Sequence, residues 1–466
     1  MRSIHFIAAM ALPLWLAGCA TPVAPPVLAE SVPPQWYAPL PHNGTLADLA
    51  QWWQQFNDPL LVQLLESAQT LSPTVASARS RIEQARASRA AARASLLPTL
   101  DGQASASRGN AQPPAPLATT LQAGVLAGWE IDLFGGNRAA LQAAQSRLQG
   151  AQAGWHEARV SVAAETAASY VNLRTCERQL AVAQNDARSR AETARLADLT
   201  ARAGFTAPAN AALARASAAE GSARVTQQRS QCEIEVKSLV ALSGLPEPQL
   251  RQQLLVPWQE PAQAALPPLA ALPAQLLAQR PDIYQAEREV AAASSDIGTA
   301  QAQRYPRLSL SGSIAAGRVH FGGEGSDVQT WSIGPVALTL PLFDAGRRAA
   351  NVDAARARYE EAVALYTGRV RQGVREVEEA LVNLESARLR MEDAQTAAEG
   401  FRVSFVAIEA RYRSGLGTLI ELEDARRTAL AAETALVNLQ RERVAAWIAL
   451  YRAVGGGWAR SDNTPA

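Results

Sequence analysis

Hydrophobic and polar residues alternate strictly in one stretch of the chain, and this pattern predicts a β-strand. Between residues 121 and 133 every odd position is apolar and the even positions are mostly small or polar, which is typical of a strand with one apolar and one wet face. A weaker alternation precedes it, and in a second strand pair Gly334-Pro335 breaks the pattern and predicts a bulge or bend. The predicted strands cover residues 99–109, 119–134, 307–320 and 329–343, with loops at 110–118 and 321–328.

Two long segments, 136–203 and 346–412, predict helices of unusual length. They contain no proline and are dense in alanine, arginine, glutamate, glutamine and leucine, which are good helix formers. Each would extend about 100 Å at 1.5 Å per residue. Mostly apolar positions recur every seven residues, which predicts the seam of a left-handed coiled coil. In the first segment the seam comprises Leu141, Leu148, Trp155, Val162, Ser169 and Cys176.

Four landmarks recur in the same order in the two halves of the chain, with a shift of 208 to 211 residues. They are Pro73 and Pro281, Pro98 and Pro306, Leu133 and Leu342, and Gly204 and Gly415. This predicts an internal repeat in which each half reads helix, two strands, long helix, turn and return helix. We assign the halves to 46–245 and 274–454, the return helices to 207–243 and 417–453, a proline-rich linker to 246–273 and a tail to 455–466.

The N-terminus has the pattern of a secretory signal. Arg2 precedes an apolar stretch and the small residues Ala17-Gly18 stand before Cys19, so residues 1–18 are predicted to be removed. Small residues directly before a cysteine resemble a lipobox, which implies acylation of Cys19. The alternative is an ordinary signal with an incidental cysteine. Residues 19–45 are rich in proline and predict an extended tether.

Composition and spacing exclude several classes of function. The net charge is +1, and no basic run indicates nucleic acid. The four histidines, His5, His42, His156 and His320, have no acidic residue or cysteine at metal-ligand spacing. Because nucleophile motifs and phosphate-binding loops are also missing, we predict no enzyme activity, no metal and no cofactor other than the lipid.

The strands are then the candidates for crossing a membrane, because the mature sequence has no apolar stretch of about 18 residues. A small barrel needs about eight strands, and open sheet edges are not tolerated in lipid. Four strands therefore predict an oligomer, with dimer, trimer and tetramer all open at this point. A soluble sheet and a passive coiled-coil scaffold on a lipid anchor are the alternatives.

Three motifs carry a resemblance to a known family: Trp52-Trp53-Gln54-Gln55-Phe56-Asn57-Asp58-Pro59-Leu60, Arg280-Pro281-Asp282-Ile283 and Pro341-Leu342-Phe343-Asp344. They resemble the TolC-like outer membrane factors in their OprM/NodT lipoprotein branch. The resemblance implies an α+β membrane protein and a homotrimer. Each chain would give four strands to a 12-stranded β-barrel, which a long periplasmic α-helical barrel continues.

The same resemblance implies the function and the partners. The chain would be the outer-membrane exit duct of a tripartite efflux pump for drugs or other small toxic compounds. Its partners would be a periplasmic adaptor, an inner-membrane transporter of the resistance-nodulation-division type and outer membrane lipid. The alternative is the protein-secretion duct of a type I system, whose type member is not acylated.

The two helix–helix turns are predicted to dock the adaptor, as the family does tip to tip. The docking residues are Arg202, Gly204, Phe205, Thr206, Arg413, Gly415, Leu416 and Thr418. The glycines also permit a left-handed turn, which is the alternative explanation for them. An apolar Phe205 and Leu416 at exposed tips need a further reason, and a partner surface supplies one.

A periplasmic gate is predicted beside the second turn. Glu421 and Asp424 share a helix face at i, i+3 and match the acidic ring of TolC-like ducts, where converging carboxylates attract cations and raise carboxyl pKa values. Tyr412 matches a latch tyrosine of the family, but the latch arginine falls on Gly417. A solvated acidic helix face is the alternative.

The remaining cysteines, Cys176 and Cys232, each lie 28 residues from Gly204. In an antiparallel hairpin that turns at Gly204, equal counts place both thiols at the same height. We predict a disulfide, since the periplasm is oxidising. Two buried free thiols are the alternative, because counting does not fix the rotation of the helices.

Overall fold

The computed structural model describes residues 53, 58–110, 117–256, 258, 277, 280–321 and 323–458. Among these residues, no helix combines the length and the apolar character that crossing a membrane requires. The first half of the chain forms α1 (Pro59–Leu71), α2 (Pro73–Ala94), β1 (Thr99–Gly109), β2 (Ala118–Ile131), α3 (Gly136–Arg202), α4 (Pro208–Ser243) and α5 (Glu247–Leu254).

The second half repeats the order of helix, two strands, long helix and return helix. Its elements are α6 (Pro281–Ala302), β3 (Arg307–Phe321), β4 (Glu324–Thr339), α7 (Arg347–Arg413) and α8 (Leu419–Ala453). The long helices α3 and α7 each have 67 residues, which agrees with one unit written twice.

Several predicted boundaries need correction. Strand β4 begins five residues before the predicted 329 and ends four residues before the predicted 343, so most of the loop predicted at 321–328 belongs to β4. Strand β2 ends at Ile131 rather than at 134. The helix of the first half is interrupted at Ser72, because the residue before a proline is disfavoured in the helical conformation. The predicted linker contains the helix α5.

The four strands form one antiparallel sheet in the order β1-β2-β3-β4. Residues directly opposite each other in such a sheet project to the same face. One face is apolar, and its large side chains are Leu100, Val125, Trp129, Leu310, Ile314, Trp331, Ile333, Val336 and Leu338. The other face is chiefly polar, with Asp101, Gln103, Ser105, Gln122, Glu130, Ser309, Ser313, Thr330 and Ser332.

A bulge in β4 keeps the apolar residues on both sides of it on the apolar face of the sheet. Ile333 lies opposite Gly312 and Val336 lies opposite Leu310, so two residues of β4 face one residue of β3. The extra residue falls at Gly334-Pro335, where a bulge was predicted, and Gly334 has a φ of 107°. Without the bulge Val336 would move to the polar face.

Two glycines on the polar face allow β2 and β3 to approach each other closely. A Cβ on Gly124 would stand 2.5 Å from the carbonyl oxygen of Ile314, and one on Gly317 would collide with the carbonyl oxygen of Leu121. Both positions lie on the polar face. On the edge strand β1, by contrast, a Cβ on Gly102 would meet nothing within 4 Å. A side chain at Gly124 or Gly317 would therefore force the neighbouring strand to move.

The described residues fall into two compact units. The first contains Arg79–Ala153 and Tyr284–Arg369, and therefore the sheet. The second contains Gly154–Ile283 and the chain from Val370 onward, together with α1. The main core lies in this second unit and includes Leu61, Leu64, Tyr170, Leu173, Leu239, Leu250, Leu381 and Leu450, all almost fully buried.

Two of the three motifs fasten chain segments to this second unit. The Tyr170 hydroxyl donates to the Asp58 carboxylate, and burial raises the pKa of that hydroxyl. Arg174 donates to the Tyr170 oxygen at 3.0 Å and to the carbonyl of Leu254 at 3.0 Å. The Asp58-Pro59-Leu60 motif and the end of α5 are thereby tied to α3.

Arg280 has the corresponding role at the start of the second half. It donates to the carbonyl of Ala453 at 2.7 Å and pairs with Asp282 and Glu376, each at 2.8 Å. The buried guanidinium thus satisfies a carbonyl in the last turn of α8, where helix carbonyls have no partner within the helix. This explains why arginine and aspartate flank Pro281.

We expect Gly317→Ala to destabilise the protein by about 1–3 kcal/mol, the usual cost of forcing atoms into a packed site. The added methyl must displace the backbone of β2, whereas Gly102→Ala adds it to open space and should leave stability unchanged or higher. Thermal unfolding of the purified protein measures both. Equal loss in the two variants would contradict the close approach of β2 and β3 at Gly317.

Candidate functional site

The two helix–helix turns, named here the first tip (Arg202–Thr206) and the second tip (Arg413–Thr418), are built in the same way. In the first, the N–H of Phe205 donates to the carbonyl of Thr200 at 2.8 Å, and Gly204 has a φ of 78°. In the second, the N–H of Leu416 donates to the carbonyl of Arg411 at 2.9 Å, and Gly415 has a φ of 76°. Both glycines end a helix in the left-handed conformation.

Each tip presents one large apolar side chain to solvent. Phe205 is 85% exposed and Leu416 is 73% exposed. Arg202 is exposed, Arg413 pairs with Glu409 at 3.2 Å, and the Thr206 hydroxyl accepts from Asn210 at 3.2 Å. The residues predicted for docking therefore form exposed surfaces, and their apolar centres make few contacts within the chain.

Tyr412 connects the second tip with the first hairpin. Its half-buried ring packs with Leu419 against alanines of α3 and α4, namely Ala194, Ala197, Ala211 and Ala214. Burial raises the pKa of the Tyr412 hydroxyl. The predicted latch residue thus lies where the two hairpins meet, and the contact there is apolar.

The two acidic residues predicted for the gate point to different partners within one chain. Thr418 begins α8 with a capping box: the Thr418 hydroxyl accepts from the N–H of Glu421 at 3.2 Å, and the Glu421 carboxylate accepts from the N–H of Thr418 at 2.9 Å. This backbone hydrogen bond lowers the pKa of Glu421. Asp424 is exposed and pairs with Arg427 at 2.9 Å.

A buried ionic network lies on the core side of these residues and joins all four helices of the hairpins. Arg190 of α3 pairs with Asp186 at 2.9 Å and with Glu423 of α8 at 2.9 Å, and it donates to Ser217 of α4. Ser217 in turn donates to Glu423 at 2.8 Å. One carboxylate therefore holds the second hairpin to both helices of the first.

Arg426 extends this network from the other side of Glu423. It pairs with Glu423 and donates to Thr193 at 2.9 Å and to Ser189 at 3.1 Å, while Ser189 donates to Glu409 of α7 at 3.0 Å. Burial lowers the pKa of the Arg426 guanidinium, although the charge of Glu423 opposes the shift. The guanidinium also lies 5.6 Å from the ring centre of Phe405.

This network is not among the predicted sites, although the seven-residue seam of α3 contains a signal for it. Continuing that seam from Cys176 by two steps of seven reaches Arg190. On α8, Arg426 lies seven residues after Leu419 and four after Leu422, on the buried face of the helix. A charged residue at a seam position predicts a buried partner on a neighbouring helix.

Cys176 and Cys232 form a disulfide in the structure, with a Cα–Cα separation of 5.5 Å. That distance lies in the range that disulfides adopt without backbone movement. The bond ties α3 to α4 within the main core, so the first hairpin is closed covalently. The other predicted modification site, Cys19, lies outside the described residues.

The chain thus combines a two-faced antiparallel sheet with two long helical hairpins whose tips lie together. The family described as outer membrane efflux protein matches residues 64–245 and 272–456. Together these ranges cover well over half of the sequence. The chain therefore belongs to the outer membrane efflux protein family, which has a transport function and is not enzymatic.

Individual relatives agree with this assignment. The pyoverdine export outer membrane protein OpmQ of Pseudomonas putida is 30% identical over 466 residues, 97% of each chain. Nodulation protein T of Rhizobium leguminosarum bv. trifolii is 29% identical over 425 residues, 89% of each chain. The solved structure of the outer-membrane channel OprN matches 94% of this chain and 100% of that one, with 28% identity and a TM-score of 0.83. The expected resemblance and the outer membrane location are confirmed.

We expect Arg190→Met to lower the free energy of unfolding by about 3–5 kcal/mol, because it leaves the buried Asp186 without its nearest cation and removes one of the two arginines that pair with Glu423. Urea unfolding followed by circular dichroism measures the change. Arg195→Met is the matched control, since Arg195 lies on the same helix and pairs with Glu192 in solvent. An equal loss in both variants would show that the network does not stabilise the hairpins.

Proposed function

We propose that three copies of this chain form an outer-membrane duct that exports small molecules from the periplasm. In this duct the three sheets combine into one 12-stranded barrel, and the helical hairpins continue it as a periplasmic tube. The observation that carries the proposal is a sheet of four strands with an apolar face, a polar face and two edges that lack a partner strand within the described chain.

Three properties of the sheet support a barrel made by several copies. Only β2 pairs with β1 and only β3 pairs with β4 in the described chain, so each edge strand has free hydrogen-bonding groups. The second face of the sheet is chiefly polar, as the wet interior of a barrel requires. The outward face exposes apolar side chains, among them Trp331 at 76% and Ile333 at 85%, which suit a lipid surface.

The anchor and the absence of a cofactor belong to the same proposal. Acylation of Cys19 would hold the chain to the membrane through the proline-rich tether at residues 19–45. The duct needs no bound cofactor and no metal, because the energy for export comes from a transporter. We propose small-molecule cargo because the relative OpmQ is named for pyoverdine export.

The exposed tips support a periplasmic adaptor as the partner. Behind the adaptor we propose an inner-membrane transporter of the resistance-nodulation-division type. Phe205 and Leu416 would be buried when the adaptor meets the tips end to end. Burying a large apolar side chain contributes about 1.5–3 kcal/mol. Two such residues per chain in three copies supply a substantial contact without any charged pair.

We expect the double variant Phe205→Ser and Leu416→Ser to lose export while the trimer remains in the outer membrane. Serine keeps the turns intact, whereas any replacement of Gly204 or Gly415 would strain a left-handed backbone. Efflux of a fluorescent substrate from cells measures the loss. Leu255→Ser is the control, because Leu255 is 81% exposed and lies away from the tips. Unchanged efflux in the double variant would reject tip docking.

We expect the purified protein to conduct ions across planar bilayers, and divalent cations to block that current from the periplasmic side. In the proposed trimer, Glu421 and Asp424 converge near the axis and attract cations. The double variant Glu421→Gln and Asp424→Asn should raise the half-blocking concentration several-fold. Glutamine still serves the capping box, so the helix start is preserved.

The control for this experiment is Glu392→Gln, an exposed acidic residue of α7 far along the chain from the tip. It should leave both conductance and block unchanged. A wild-type protein that gives no conductance would reject the duct itself. Conductance with identical block in all three proteins would reject only the acidic gate.

A further inference from the structure

The apolar face of the sheet carries charge at one end only. Arg108 lies opposite Thr119, Thr119 lies opposite His320, and His320 lies opposite Gly325. Since directly paired residues share a face, Arg108 and His320 stand in one row across the four strands. Arg318, two residues before His320, is on the same face one row nearer the apolar band.

Contacts of these side chains agree with that placement. A Cβ on Gly325 would stand 3.0 Å from Nε2 of His320, so the imidazole lies over that glycine on the same face. Arg318 pairs with Asp327 of β4 at 3.0 Å, and both side chains are more than half exposed. Arg108 has no ion-pair partner among the residues that the structure describes. This end of the face therefore has two arginines and a histidine but only one carboxylate.

The apolar band begins directly below this row. Below Arg318, the residues of β3 on the same face are Ala316, Ile314 and Gly312. On the neighbouring strand β2, Leu121 lies opposite Arg318 and Val125 lies opposite Ile314. At the opposite end of the same strands the face holds Trp129, Leu308, Leu310, Val336 and Leu338. Within the described strands, charged residues on this face occur only near the loops at 110–117 and 322–323.

The proposed function orients this end of the sheet, and the inference rests on it. The long helices leave the strands at the end opposite the loops and extend into the periplasm. The basic row therefore lies at the outer surface of the membrane, where apolar side chains give way to lipid headgroups. Arginine binds phosphate through a planar fork of donors, and its aliphatic stem lies against the apolar surface below.

We propose that Arg108, Arg318 and His320 form a binding site for phosphate groups of an anionic glycolipid in the outer leaflet. Acyl chains of that lipid lie along the apolar band, and its phosphates contact the basic row. Asp327 holds the guanidinium of Arg318 against the sheet and reduces the net charge of the site. Three copies in the duct surround it with such sites.

Native mass spectrometry of the full-length, acylated protein in neutral detergent tests the site, with bisphosphorylated lipid A as the probe. The double variant Arg108→Gln and Arg318→Gln should bind lipid A about 25-fold more weakly, from about fivefold for each cation at an anionic lipid surface. The double variant to lysine should retain most of the affinity. Arg307→Gln is the matched control, because Arg307 is an exposed cation of β3 on the polar face.

Two further arms identify the ligand. Lipid A from which both phosphates have been removed should bind as weakly as the double glutamine variant, and millimolar inorganic phosphate should not displace the intact lipid. Displacement by inorganic phosphate would assign the site to the free anion and overturn the proposal. Equal lipid binding by wild type and the double glutamine variant would overturn it as well.

Conductance of the same preparations separates this inference from the duct. Wild type and the double glutamine variant should conduct equally, because the basic row faces away from the polar interior. If both conduct and lipid binding is unchanged, the lipid site alone is rejected. If wild type fails to conduct, the proposed function has failed and the orientation of the row with it.

Discussion

A sheet of four strands has two unpaired edges, and the rest of this structure depends on how those edges are satisfied. Backbone N–H and C=O groups that face hydrocarbon without a partner cost several kcal/mol each. The edge strands β1 and β4 have 11 and 16 residues, so a single copy in a membrane would leave a long row of such groups. The apolar face makes the sheet unsuitable for water, and the edges make one copy unsuitable for lipid. In the proposed duct, pairing between copies resolves both conditions.

The helices carry a related constraint. A helix of 67 residues cannot be covered by one compact core, so α3 and α7 must be packed along their length by other helices. Small seam residues such as Ala380 and Ala387, both almost fully buried, allow close approach. Toward the tip the seam of α7 becomes more open, with Phe401 44% exposed. In that region polar contacts of Arg190, Glu423 and Arg426 are added to the apolar packing, which continues at the tip around Tyr412 and Leu419.

Sequence patterns predicted most of the fold because period and propensity are local properties. Strand β1 has the predicted bounds. Helix α3 ends one residue earlier than predicted, and α7 begins and ends one residue later than predicted. The start of β4 was missed because Glu324-Gly325-Ser326-Asp327 has no alternation. Beyond the apolar band both faces are polar, so the hydrogen-bonded ladder continues where the hydrophobic pattern has stopped. The end of β4 was extended too far because Pro341 follows apolar residues but cannot donate to a ladder.

The candidate site was only partly predictable, since its chemistry is distributed over distant segments. The turns and the capping box are local, and Gly204, Gly415 and Thr418 could be read directly from neighbouring residues. The network is different, because Glu423 acquires its partners from helices more than 200 positions earlier in the chain. A single sequence shows that a charged residue interrupts a seam but not which residue neutralises it. The rotation of the helices, which sets that pairing, is a property of the packed hairpins.

The two hairpins are held by different kinds of bond, and this difference determines which hairpin of the proposed duct can move. A disulfide closes the first hairpin, whereas the second is attached to it through Glu423 and the packing of Tyr412. Separating a buried ion pair costs about 3–5 kcal/mol when one partner is left alone. A partner can shift such an equilibrium only by binding the open state more tightly. Burial of Phe205 and Leu416, at about 1.5–3 kcal/mol each, is of the same magnitude. Contact at the tips could therefore release the second hairpin while the first stays fixed.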